Sequence, residues 1–205
     1  MYQIKVLKYP ANHFIEKDKE TLKSLTETFP LATLISSYQG EIFTTFLPLL
    51  WEGSDYLIGH LDANNTQVPF LQEGEKVHLI FNGPEAYISP AHFPTNELPT
   101  YNYCKIEVKG SIEPISDEAL KKGIIQLTTH LEGNEAAYQL TRDENRLHSL
   151  VKYIYGFKIK VNSMQGRFKM SQDKSVSHQK KAIDLMQNSL KNRNQDFLEN
   201  YWNGK

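Results

Sequence analysis

Leu31-Ala32-Thr33-Leu34-Ile35-Ser36-Ser37, then Gln39-Gly40-Glu41, then Ile42-Phe43-Thr44-Thr45-Phe46-Leu47-Pro48-Leu49-Leu50 form two apolar, β-branched and aromatic runs around a tight glycine turn. Residues of this kind suit a pleated, half-buried surface, and a turn of this length joins neighbouring antiparallel strands. The stretch predicts a β-hairpin. Further strand-like runs follow: Tyr56 to His60, Lys76 to Asn82, Ala86 to Ser89, Tyr101 to Ile115, and Tyr155 to Val161. Gly53, Gly74 and Gly83-Pro84 punctuate them, and Gly83-Pro84 is expected to separate two strands. Six or seven short strands with hairpin-length turns predict an antiparallel barrel or sandwich.

Helices are expected at the periphery. Lys17 to Phe29 places Leu22, Leu25 and Phe29 at helical spacing before Pro30. Ser116, followed by Asp117 and Glu118, is a good N-cap for a helix to about Leu131. Shorter helices are expected from Asp62–Gln67 towards Leu71 and over 142–151. From Val176 to about Tyr201, Ile183, Met186, Leu190, Phe197 and Tyr201 recur every three or four residues. The chain thus reads as mainly β with peripheral helices (α+β) and a C-terminal helix, divided into a body over 1–172 and a helical tail over 173–205.

With 205 residues, 40% of them hydrophobic, the chain can bury a sizeable core. Twenty-three Lys and Arg against 24 Asp and Glu leave no global field to draw it to nucleic acid or an anionic membrane. The tail, with six basic and four acidic residues, is only mildly basic, and no helix-turn-helix pattern is present. One cysteine, Cys104, allows no internal disulfide. The opening Met1-Tyr2-Gln3-Ile4-Lys5 lacks the apolar core of a signal peptide, and no apolar run reaches bilayer length. A soluble cytoplasmic protein is expected, with no metal site, since the seven histidines are scattered.

Three segments carry candidate chemistry. Gly166-Arg167-Phe168-Lys169-Met170-Ser171-Gln172 sets a cation, a hydroxyl and an amide together, which suits a phosphate-bearing ligand or equally a solvated strand face. His60 is followed by Asp62, Asn64, Asn65 and Gln67 at a strand-to-helix junction. Backbone N–H groups at such a helix start hold phosphate, and the same composition makes an ordinary polar loop. Tyr87 to Pro94 and Pro99 to Tyr103 form aromatic loops able to wall a planar ligand, plug a barrel or make a dimer seam. No Walker loop, Gly-x-Gly-x-x-Gly or Gly-x-Ser-x-Gly occurs.

In order along the chain stand Met1-Tyr2 with Pro10 and Phe14, Gly59-His60-Leu61-Asp62-Ala63-Asn64-Asn65, Phe81-Asn82-Gly83-Pro84-Glu85-Ala86-Tyr87-Ile88-Ser89-Pro90, Pro99-Thr100-Tyr101-Asn102-Tyr103, Gly156-Phe157 and the Gly166–Gln172 segment. Together they resemble the PaiB family of FMN-binding negative transcriptional regulators, over nearly the whole chain. The resemblance implies an FMN-binding split β-barrel, usually a homodimer with flavin at the subunit interface. It implies flavin contacts from Thr44, Thr45, Phe46, Leu47, His60, Asn64, Asn65 and Thr66, with Lys169, Ser171 and Gln172 as additional ligands. Asn65-Thr66, Tyr101 and Asp173 depart from the family pattern, and the phosphate region carries little positive charge. The alternative reading is an FMN-dependent oxidoreductase of unknown substrate. A lesser one is a haem protein using a histidine such as His92. DNA is a possible partner without a recognisable binding motif, and no membrane is expected.

Overall fold

A computed structural model describes residues 10–94, 98–133 and 137–203. The opening Met1-Tyr2 of the resemblance lies outside the described residues. Eight strands form one hydrogen-bonded sheet: β1 (Ile15–Glu16), β2 (Leu31–Tyr38), β3 (Glu41–Pro48), β4 (Leu50–Glu52), β5 (Tyr56–Asp62), β6 (Lys76–Ile88), β7 (Thr100–Pro114) and β8 (Ile154–Lys169). Their order is β3-β2-β6-β7-β8-β5-β4, with β1 on β8. The helices are α1 (Lys19–Thr28), α2 (Asp117–Glu132), α3 (Asn145–Leu150) and α4 (Val176–Asn203). Among the described residues no helix is long and apolar enough to cross a membrane.

The expected hairpin is present, with Leu34 opposite Thr45 and Ser36 opposite Phe43. Its turn uses left-handed backbone at Gln39 and Gly40, the conformation tight hairpin turns demand. Gly83-Pro84 does not divide two strands, because β6 runs through it. The ladder between β2 and β6 stops at Phe81, so Pro84 costs no bond on that side. β8 likewise continues through Gly166 to Lys169, where a strand ending near Val161 is expected. The helix predicted after Asp62 is reduced to a 3₁₀ turn at Val68–Phe70, and the one over 142–151 to the six residues of α3.

By its contacts the chain divides into two units. The first comprises 1–22, 82–106 and 165–205. In it, Ala182 and Met186 of α4 pack into one buried cluster with Ala86 and Ile88 of β6, and β1 pairs with the end of β8 through Ile15 and Arg167. Leu22 lies against Gly166, where a Cβ would come within 2.6 Å of its Cδ2.

The second unit comprises 23–81 and 107–164. Alternating inward residues give its core: Ala32 and Leu34 of β2, Leu57 of β5, Val77, Leu79 and Phe81 of β6, and Phe157 and Ile159 of β8 are all buried. Helix α2 covers this sheet by setting Gly123 against Ile58 and Leu120 against Gly156, and Ser116 caps it by accepting the Ala119 N–H. The opposite face of the hairpin stays open, with Leu31 58%, Ile42 72% and Phe46 70% exposed.

Candidate functional site

Two groups of polar residues stand out, one in each unit. In the second unit, β5 ends at Asp62 and the chain turns sharply: the Asn64 N–H donates to Asp62 Oδ1 at 2.8 Å, and the Asn65 N–H to the Asp62 carbonyl at 3.0 Å. This turn brings Asn65 to the hairpin, where its Nδ2 donates to Thr45 Oγ1 at 3.1 Å. Its Oδ1 accepts the Gln67 N–H at 2.9 Å.

Gln67 is 1% exposed. Its Nε2 donates to Ser36 Oγ at 2.9 Å and to the Phe43 carbonyl at 3.3 Å. Because the nitrogen faces carbonyl and hydroxyl acceptors, the amide orientation is fixed. The Oε1 is then buried with no donor. Alongside, Phe70 packs on Tyr38 and Phe43, with ring centroids 4.6 and 4.5 Å away. A hydroxyl and an amide at the edge of the hairpin, beside aromatic rings, suit a planar heterocycle that carries both donors and acceptors.

The other residues expected here differ in role. Thr44 and Phe46 point to the exposed face of β3, opposite to Thr45. Leu47 is buried, its Cδ1 3.1 Å from where a Gly59 Cβ would lie, so only its backbone is available. His60 is half-buried on β5, and burial holds its pKa below the ordinary 6.5. Asn64 and Thr66 are exposed, and the Asn64 side chain donates to Asp62 at 3.0 Å. The Asn64, Asn65 and Gln67 N–H groups are all used inside the turn, beside the Asp62 carboxylate. As a phosphate cradle this junction is weak.

In the first unit, a cavity of about 370 Å³ is lined by Phe14, Ile88, Phe93, Thr100, Asn102, Lys169 and Ser171 among others. Lys169 Nζ donates to Thr100 Oγ1 at 2.5 Å. Asn102, fully buried, donates to Ser171 Oγ at 3.0 Å. Gln172 faces its own turn: its Oε1 accepts the Met170 N–H at 2.7 Å and its Nε2 donates to the Phe168 carbonyl. Both ends of that amide are therefore occupied. His92 is exposed on a 3₁₀ turn at Pro90–His92.

Reading the sequence missed the part played by Gln67, which it counted only as loop polarity. The signal for Asn102 was present, since it lies on the Cys104, Ile106 and Val108 face of an alternating strand.

Residues 8–163 match a family described as "Putative FMN-binding domain". The chain belongs to this family. A relative within reach is "Protease synthase and sporulation protein PAI 2" of Bacillus subtilis (strain 168), 29% identical over 192 residues, which are 88% of this chain and 89% of that one. Among solved structures, the FAD and heme binding protein from Mycobacterium smegmatis superposes with a TM-score of 0.61 at 17% identity, over 81% of this chain and 78% of the other. The flavocytochrome Anf3 from Azotobacter vinelandii gives 0.55 at 20% identity, over 76% and 69%. These likenesses establish the fold, a mainly β split barrel of the flavin-binding type. FMN is the cofactor that membership of the family implies.

Proposed function

We propose that this protein is a PaiB-like negative transcriptional regulator built on an FMN-binding split barrel, and that it works as a homodimer. The observation that carries the flavin part is the Thr45–Asn65 pair, which fastens the turn after β5 to the hairpin and sets a hydroxyl and an amide where they suit the flavin ring. Thr45, Asn65 and the β3 backbone through Leu47 would hold that ring, with Asn64 and Thr66 beside it, while His60 lies with Ile124 and Thr128 of α2. Bound flavin would supply redox chemistry, and the chain's own residues would bind it, orient it and shelter it from water.

The similarity to the sporulation protein supports the regulatory reading, and the family match supports the flavin. The face of β2 and β3 that leaves Leu31, Ile42 and Phe46 uncovered supports the dimer, since large apolar side chains clustered at a surface suit an interface. Titration of the purified protein with FMN, read by quenching of flavin fluorescence, tests the binding. Saturation at one flavin per chain supports the proposal, and no binding at about 100 μM FMN would overturn it. Sedimentation of Phe46→Glu tests the dimer, which that variant should dissociate.

A further inference from the structure

The cavity of the first unit carries an inference of its own. It combines an apolar wall, made by Phe14, Ile88, Pro90 and Phe93, with Lys169. Lys169 is half-buried, and its hydrogen bond goes to a neutral hydroxyl, Thr100. Among the described residues no carboxylate lies within 4.0 Å of it. The other charged residues of the lining, Asp173 and Lys174, pair with each other at 4.0 Å and offset one another. Among the described residues this leaves one cation uncompensated in a partly desolvated pocket, where a single negative charge is worth more than it is in water.

The pocket is also built to keep its shape. Ser171 holds left-handed backbone at φ 63°, a conformation that a Cβ disfavours. That conformation is secured by the buried Asn102–Ser171 bond, by the Lys174 N–H on the Ser171 carbonyl at 3.0 Å, and by the Gln172 amide folded back on Met170 and Phe168. Gln179 of α4 adds bonds to the Gln172 and Lys174 carbonyls, and His178 stacks on Phe93 at 3.7 Å.

We infer that this cavity binds a small molecule bearing one carboxylate on an aromatic or apolar body, the carboxylate meeting Lys169 and the body lying against Phe14, Ile88 and Phe93. A phosphate monoester suits it less, because Lys169 leaves the lining with a single positive charge to match. The apolar wall lies inside the flavin family match, whereas Lys169 and Ser171 lie beyond its end at residue 163.

Calorimetric titration with three probes tests the inference: indoleacetate, its neutral analogue tryptophol, and indoxyl phosphate. The full-length protein should bind indoleacetate at least about tenfold more tightly than the other two. Lys169→Met should abolish that preference, and Lys169→Arg should keep most of it. Equal binding of acid and alcohol, tighter binding of the phosphate, or no binding of any probe at about 10 mM would overturn it. A parallel loss of FMN affinity in Lys169→Met would overturn it too, by making the cavity part of the flavin site. The comparison of probes on the unaltered protein decides the matter if Lys169→Met does not fold.

Discussion

Asn65 donates its side-chain N–H to Thr45 Oγ1 at 3.1 Å, across 20 residues of sequence, and so fastens the turn after β5 to the second strand of the hairpin. Through the same amide oxygen it also holds the Gln67 backbone. One asparagine thereby sets the position of the buried glutamine beside the candidate flavin site.

Gln67 makes the first prediction. Its Nε2 satisfies Ser36 Oγ and the Phe43 carbonyl in a buried place, so Gln67→Leu strands both acceptors. A loss of about 2 kcal/mol in urea unfolding is expected, with flavin affinity lost as well. An unchanged unfolding midpoint would show that these bonds carry no stability.

Asp62 makes the second. Its carboxylate orders the turn by accepting from Asn64, yet it also sets a negative charge where a flavin phosphate would arrive. FMN and riboflavin should therefore bind within about tenfold of each other. Asp62→Asn, which keeps an acceptor for the Asn64 N–H, should favour FMN selectively. The account of the junction fails if FMN already binds the unaltered protein far more tightly than riboflavin does.

Two glycines separate side-chain crowding from backbone crowding. A Cβ on Gly110 would stand 2.6 Å from the Lys160 carbonyl oxygen and 2.4 Å from Ile159 Cγ2. One on Gly123 would meet only Ile58 side-chain atoms, the nearest at 2.5 Å, and alanine recovers helix propensity there. Gly110→Ala should cost about 3 kcal/mol and Gly123→Ala about 1 kcal/mol or less. Thermal melting that ranks the two in reverse would contradict the packing described for β7 and β8.

His60 sets a pH dependence. Burial lowers its pKa in the folded chain below the ordinary 6.5, so the fold favours the neutral ring. The unfolded chain then takes up a proton first as the pH falls. His60's contribution is complete above the unfolded pKa and is lost as the pH falls from about 6.5 through the folded value. His60→Gln should therefore lose less stability than the unaltered protein between about pH 7.5 and about pH 5. Parallel stability curves for the two would count against a buried neutral His60.

Much of this was legible in the chain. The hairpin at 31–50 could be read because period-two alternation and a glycine turn are local signals, and the α2 boundary because Ser116 caps it. Gly83-Pro84 misled, since whether a proline interrupts a strand depends on whether a neighbour needs its N–H, and the β2 ladder stops at Phe81. The burial of Gln67 could not be read, because Ser36 and Phe43 reach it from more than 20 residues away. Gln172 showed the reverse: its spacing suggested a ligand, and its amide is spent on its own turn. Cavity lining from β6, β7 and the end of β8 is likewise a product of topology.

The most direct measurement is a double-mutant cycle on FMN affinity with Thr45→Val, Asn65→Ala and the pair. Each single change should weaken binding about tenfold. The double variant should be little worse than either, because both remove the same bond. Single variants that bind FMN as tightly as the unaltered protein would contradict the claim that this pair forms the flavin site.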